Sequence, residues 1–347
     1  MDIRKIFVFF MVFALLMVAG CKTQQQGKTV SQATPYIGGS TGLIAKFIDG
    51  APPDQIFDAD QYPFGISVQL ENKGESPLPI SDTDEYIEIM GLNPEDFGKE
   101  SQDDLKNDII TEEETTIEPA KKNFDGSISP GGQTVIGFDE LKYAPDMKGD
   151  TDVLIRANIC YNYMTETTTK ICLKEDLMDT ENAPAICKVS GDKKTDNSGA
   201  PIHITSFKEA PIGTKKVQFS FVIGAVGDAA DSFFAVSEDI CDDKITNQAR
   251  YAVFVDTSPT TINGKYLDCE GFLAGSTSTG DCGGSRCSGF VRLFDKKPRI
   301  LSCTLDTSDV KSTFEKAIQI NLVYKYMQSI EKRVIIKDVS TSGQSDT

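Results

Sequence analysis

The sequence predicts an all-β chain: two tandem β-sandwiches behind a signal peptide and a flexible tether. Three observations carry this reading. Short apolar runs bounded by Gly, Pro and Asn recur along the chain, with little helical periodicity. A 20-residue segment occurs twice. About 300 residues follow the tether, too many for one small sandwich and enough for two domains of ordinary size.

The first forty residues are read as two elements. Met1-Asp2-Ile3-Arg4-Lys5 is a short basic region followed by an apolar run from Ile6 to Gly20, the layout of a secretory signal peptide. A helix that spans the hydrocarbon core needs about 20 apolar residues, so this shorter run is expected to be removed. Val18-Ala19-Gly20-Cys21 resembles the lipobox of bacterial and archaeal lipoproteins, in which small residues precede a cysteine that is diacylated and becomes the mature N-terminus. Cys21 is the candidate lipid carrier, and two acyl chains give the double anchor that stable attachment requires. Residues 21–40 are rich in Gln, Thr, Gly and Ser, a composition that reads as a tether.

The repeat aligns Ile155–Lys174 with Ile318–Lys337 without a gap. Six positions are identical, among them Tyr161/Tyr324, Tyr163/Tyr326 and Met164/Met327. Both copies alternate with period two: Ile318, Ile320, Leu322, Tyr324 and Tyr326 face one way, Gln319, Asn321 and Lys325 the other. Each copy is read as a hairpin, with Arg333–Lys337 as the return strand of the second. A further resemblance lays Ile66–Gly74 over Phe219–Gly227, each preceded by an Ala-Pro element, Ala51-Pro52 and Ala210-Pro211.

Other short strands are expected at Glu85–Met90 and Gln133–Leu141 in the first half. In the second they are expected at Arg250–Asp256, Lys265–Leu273, Phe290–Phe294 and Arg299–Leu305. Such a run of strands indicates immunoglobulin-like sandwiches with a Greek-key course. The domains are set at 41–180 and 185–340, with a boundary in the Asp-, Lys-, Asn- and Gly-rich stretch Glu175–Gly199 and a disordered tail at 341–347. Trp is absent, so the Cys–Trp–Cys signature of antibody domains is missing and the likeness is architectural.

The net charge of −17 disfavours nucleic acid and anionic headgroups as partners. Asp82–Glu118 carries 14 acidic residues against Lys99 and Lys106. This segment is read as a mobile insertion in the first sandwich, outside its core, and as the place for a basic partner or a cation. Asp82, Asp84, Glu85, Glu112, Glu113 and Glu114 are the candidate weak calcium ligands.

Nine cysteines, less Cys21, leave an even set of eight in a chain expected to face an oxidising compartment, which reads as four disulfides. Cys160 and Cys172 are replaced together in the second copy, by Val323 and Ile335, and are expected to pair across the first hairpin. Cys269–Cys303, Cys282–Cys287 and Cys187–Cys241 are the favoured pairings of the rest. Zinc is the competing account of Cys269, Cys282, Cys287 and Cys303, but these contain no CxxC pair and no histidine.

No catalytic residue and no cofactor is expected. His203, the only histidine, alternates with Ile202 and Ile204 and is read as a solvent-facing strand residue. No nucleophile elbow or phosphate-binding glycine loop is present; the glycine-rich stretch Gly280–Cys287 reads as a stapled loop and a second candidate surface. Asp192–Gly199 departs from a calcium loop, because its twelfth position is His203. Paired carboxylates for glycoside hydrolysis are open on counting alone, but the absence of Trp speaks against a sugar-cleaving cleft.

Ala51–Asp54, Tyr62–Gly74 and the Cys160–Cys172 segment together resemble archaeal cell-surface lipoproteins with CARDB-like or related immunoglobulin-like domains. The resemblance covers most of residues 41–340 and implies export, anchoring to the outer face of the cytoplasmic membrane, and extracellular interaction with a surface protein, glycan or envelope component. Two classes of function remain. One is a non-enzymatic surface module for adhesion, envelope assembly or partner binding. The other is a solute-binding or accessory lipoprotein of a transport or secretion system, which a cleft between the halves would favour.

Overall fold

The computed structural model describes residues 34–80, 85–110, 116–178, 186–239, 241, 244–277 and 282–339. The first half supplies β1 (Leu43–Phe47), β2 (Gln55–Phe57), β3 (Phe64–Asn72), β4 (Tyr86–Met90), β5 (Lys106–Asp108), β6 (Lys121–Lys122), β7 (Ile128–Ser129), β8 (Gln133–Leu141) and β9 (Thr151–Leu173). The second supplies β10 (Gly191–Lys193), β11 (Thr195–Asn197), β12 (Ile202–Pro211), β13 (Lys216–Ala225), β14 (Ser232–Phe234), β15 (Ala252–Asp256), β16 (Asp268–Glu270), β17 (Ser288–Arg292), β18 (Arg299–Asp306) and β19 (Phe314–Lys337). The only helices among the described residues are short 3₁₀ turns such as Pro94–Phe97 and Gln102–Leu105. The fold is all-β.

Period-two patterning decides which face each strand buries. In β3, Ile66, Val68, Leu70 and Asn72 are buried; in β13, Val217, Phe219, Phe221 and Ile223 are. β3 lies between β1 and β8 in a three-stranded sheet, and β13 lies between β12 and β18 in a five-stranded sheet ordered β10-β12-β13-β18-β16. A nine-stranded sheet has the central order β17-β15-β19-β9-β4-β5, with β2, β11 and β14 on the edges of the two long strands. One hydrophobic core takes in Val68 and Leu70, Tyr161 and Tyr324, and Phe207 and Phe219. The two halves are therefore sandwiches that share a layer, and the described residues from Pro35 onward form one compact unit.

The repeat sets this arrangement. β9 and β19 pair antiparallel from Thr151↔Ile336 to Leu173↔Phe314. The pair at the centre of the alignment is Asn162↔Lys325, flanked by Tyr161↔Tyr326 and Tyr163↔Tyr324. Asn162 and Lys325 are also equivalent in the sequence alignment, so the two copies are related by a pseudo-twofold axis through that pair. The sheet order is a palindrome about it: β4 and β5 flank β9 as β15 and β17 flank β19.

Several expectations are corrected. Neither repeat copy is a hairpin; each is one strand, because Thr165, Thr167, Thr168 and Thr169 favour extended backbone and no Gly, Pro or Asn is present to turn the chain there. Cys160 and Cys172 are twelve positions apart on β9, about 40 Å at ~3.3 Å per residue, and cannot bond to each other. The disulfides are Cys160–Cys241, Cys172–Cys187, Cys269–Cys303 and Cys282–Cys287; the expected Cys187–Cys241 pair is also replaced.

The stretch expected as a linker, 175–199, contains β10, paired with β12, and β11, paired with β9, so it ties the two layers together. The described part of the acidic stretch is not a mobile insertion. β4 lies in the shared sheet, and Tyr86, Ile87, Ile89, Phe97, Leu105, Ile109 and Ile117 are buried. Apolar residues interleaved with the acids provide the burial, while carboxylates such as Asp103 stay exposed and that of Asp104 accepts the Glu100 and Ser101 N–H groups. Residues 35–40, read as the end of the tether, are held to the body: the Tyr36 hydroxyl meets the Thr168 Oγ1 at 3.0 Å.

Candidate functional site

Four tyrosines, Tyr161, Tyr163, Tyr324 and Tyr326, meet on the inner face of the shared sheet, all buried. The Tyr161 ring lies 5.8 Å from both Tyr163 and Tyr326. Their surroundings repeat with the chain. Gly42 O accepts the Lys73 and Gly74 N–H groups, as Pro201 O accepts those of Val226 and Gly227. A Cβ on Gly74 would stand 1.9 Å from the Tyr163 hydroxyl; a Cβ on Gly227 would stand 2.7 Å from that of Tyr326. Each glycine is thus required where the hydroxyl of its own half's tyrosine passes.

The symmetry ends one residue further on. After Gly74 comes Glu75, whose carboxylate accepts N–H groups from Ile37 at 2.9 Å, Gly38 at 3.0 Å and Gly199 at 2.7 Å. The chain itself closes this side of the seam. After Gly227 comes Asp228, whose Oδ1 accepts the Ala230 N–H at 2.8 Å, and beside it lies an open cleft of about 450 Å³. Its walls are the Ser40–Ala45 segment, Tyr161, Tyr326, Asp228, Asp231 and Gln328. Burial raises the Asp231 carboxyl above its ordinary range, and the Tyr326 hydroxyl donating to Oδ2 at 2.7 Å offsets part of this. The Gln328 Nε2 is buried with no hydrogen-bond partner among the described residues. The cleft lies between the two halves and is acidic, with no catalytic pairing of a nucleophile and a base in its walls.

The residues expected from sequence fall elsewhere. Cys21 lies outside the described residues, as do Asp82, Asp84, Glu112, Glu113 and Glu114. Glu85 is described and does not fit a solvated calcium ligand. It is buried, its Oε1 accepts the Asn162 N–H at 3.3 Å, and desolvation pushes its carboxyl up to about 7 despite the nearby Lys325 charge. No group of three potential metal ligands is found among the described residues. His203 is half-buried, not solvent-facing, and burial lowers its pKa.

The stapled loop Cys282–Cys287 borders a smaller depression of about 310 Å³ lined by Lys216, Lys265, Asp268 and Asp306, where Lys265 pairs with Asp306 and Asp309, and Asp268 with Arg286. The net charge also hides one basic turn, where Arg292 stacks 3.9 Å from the exposed Phe294 ring with Lys296, Lys297 and Arg299 alongside.

The seam cleft was missed in the sequence because it depends on Asp228 and Ser40–Ala45 being brought together by the pairing of β9 with β19. The available signal was the Ile66–Gly74/Phe219–Gly227 alignment: extended by one residue, it sets Glu75 against Asp228. No protein-family model matches the chain, and no curated protein matches it.

Proposed function

We propose that this is a non-enzymatic, lipid-anchored protein of the cell surface that acts by holding a partner, in adhesion or envelope assembly. The observation that carries the binding role is the seam cleft, an open, polar-walled space on a scaffold whose two halves share a core. The four disulfides support export, because such bonds persist in oxidising compartments. No helix among the described residues is long and apolar enough to cross a membrane, so attachment through a lipid on Cys21 supplies the anchor in this reading.

A second reading, a solute-binding or accessory lipoprotein of a transport or secretion system, is favoured by the size of the cleft, which falls within the range of small-molecule sites. Crosslinking on intact cells followed by mass spectrometry separates the two: a captured envelope component supports the first reading, and capture of transport or secretion subunits supports the second. Fractionation tests the anchor. Cys21→Ser is expected to release the protein from the membrane fraction, and retention of the variant would overturn the anchoring.

A further inference from the structure

We infer that the seam cleft binds a short polypeptide segment of a partner, recognised through its backbone N–H groups by the Asp228 carboxylate. This deepens the binding role proposed above and rests on it. The argument is an internal comparison. The two halves place Gly42 and Pro201, Gly74 and Gly227, and Tyr163 and Tyr326 in matching positions with matching contacts. The residue that follows each glycine is acidic.

In the closed copy, the occupant is visible. Ile37 and Gly38 lay consecutive N–H groups on the Glu75 carboxylate, and Gly39 O accepts the Ala200 N–H at 3.1 Å, so a short segment that turns at Gly38 and Gly39 is held by these main-chain bonds together with the Tyr36 hydroxyl contact to Thr168. The Gly199 N–H completes the carboxylate's set. In the open copy, the positions equivalent in sequence to Gly199, Ala200 and Glu75 are Ser40, Thr41 and Asp228, and all three line the cleft. Among the described residues no segment lies across them, and the space is the cleft. Two features there suit a main-chain ligand. Asp228 lines the cleft and is exposed, and the Gln328 Nε2 offers a buried donor with no partner among the described residues. Charge-assisted bonds from N–H to carboxylate are stronger than neutral ones, which lets a short segment be held without deep side-chain pockets.

The test uses the full chain in detergent and, as the probe, a capped synthetic peptide of the sequence Pro35–Ser40, the segment that fills the closed copy. Saturable binding by isothermal titration is expected. Asp228→Asn is expected to weaken it at least ten-fold. Asp228→Glu, which reproduces the Glu75 carboxylate, is expected to retain or improve it. Because Asp228 is on the surface, both variants are expected to melt as the parent does. Absence of saturable binding overturns the proposal, as does equal affinity for the parent and Asp228→Asn. Preference for a free alkylamine over the capped peptide overturns it too, by showing a cation site instead. Each of these results is independent of whether Cys21→Ser releases the protein, so failure of the anchoring and failure of the peptide site are told apart.

Discussion

Asn162 and Lys325 face each other at the middle of the β9–β19 ladder, and they are also the same position in the two copies of the repeat. A duplicated segment has paired with its own copy about a twofold axis, and both halves build their cores on the layer that results.

The isolated first half, residues 35–178, is therefore expected to have no folded monomeric state. Its β9 would lose the partner that covers it over its whole length, leaving Tyr161 and Tyr163 exposed. Circular dichroism with analytical ultracentrifugation checks this: unfolded chain or a dimer paired through β9 is expected, and a cooperatively melting monomer would contradict the shared layer.

Substituting the seam glycines tests the tyrosine packing. Gly227→Ala brings a Cβ to 2.7 Å from the Tyr326 hydroxyl and from Pro201, and an overpacking cost of about 1–3 kcal/mol is expected. Gly74→Ala is expected to cost more. Its Cβ would meet the Gly199 carbonyl oxygen at 2.4 Å as well as the Tyr163 hydroxyl, and backbone cannot swing aside as a side chain can. Adding Tyr326→Phe to Gly227→Ala is expected to recover part of the loss in urea denaturation. No recovery would place the strain elsewhere.

The disulfides are expected to rank by the loop they close. Cys160–Cys241 spans 81 residues and is expected to contribute roughly 4 kcal/mol; Cys282–Cys287 spans 5 and is expected to contribute least. Pairwise Ser variants compared by denaturant midpoint give the ranking. Peptide mapping without reduction gives the connectivity, and a Cys160–Cys172 fragment would refute the single-strand description of β9.

Glu85 gives the folded protein a pH dependence of known sign. Burial raises its carboxyl to about 7 from an ordinary 4.5, so the folded state holds the proton more tightly than the unfolded chain. The stability this contributes is present below about 4.5 and is lost as pH rises through 7. Between pH 4.5 and 8 the parent is expected to lose roughly 3 kcal/mol relative to its own value that Glu85→Gln does not lose. The comparison is of slopes, because the variant also removes the carboxyl near Lys325. Parallel slopes would show that Glu85 is ionised in the folded state throughout.

Much of the strand content was legible in the sequence, because half-buried strands such as Phe64–Asn72 and Lys216–Ala225 write their burial as alternation. The duplication was legible for the same reason. What alternation cannot encode is where a strand stops when no turn residue interrupts it: Thr165–Thr169 reads equally as the far side of a hairpin or as the continuation of one strand. That ambiguity misplaced Cys160 and Cys172. The acidic stretch misled differently. Net charge counted the carboxylates of residues 82–118 and passed over Tyr86, Ile87, Ile89 and Phe97, which decide its burial. The cleft was nearly illegible because its walls come from segments nearly three hundred residues apart, and only the alignment of Glu75 with Asp228 pointed to it.

The place of β19 in the chain has a kinetic consequence. It comes after every other described strand and yet lines the centre of both cores, so a chain emerging from its N-terminus reaches residue 313 without the element that closes either half. Folding cannot proceed half by half during emergence. The contacts that complete it join positions such as Tyr161 and Tyr326, and closing loops of that length is slow. A chain that lacks this strand holds both cores open, and its disulfides lock the arrangement only after the strand has paired.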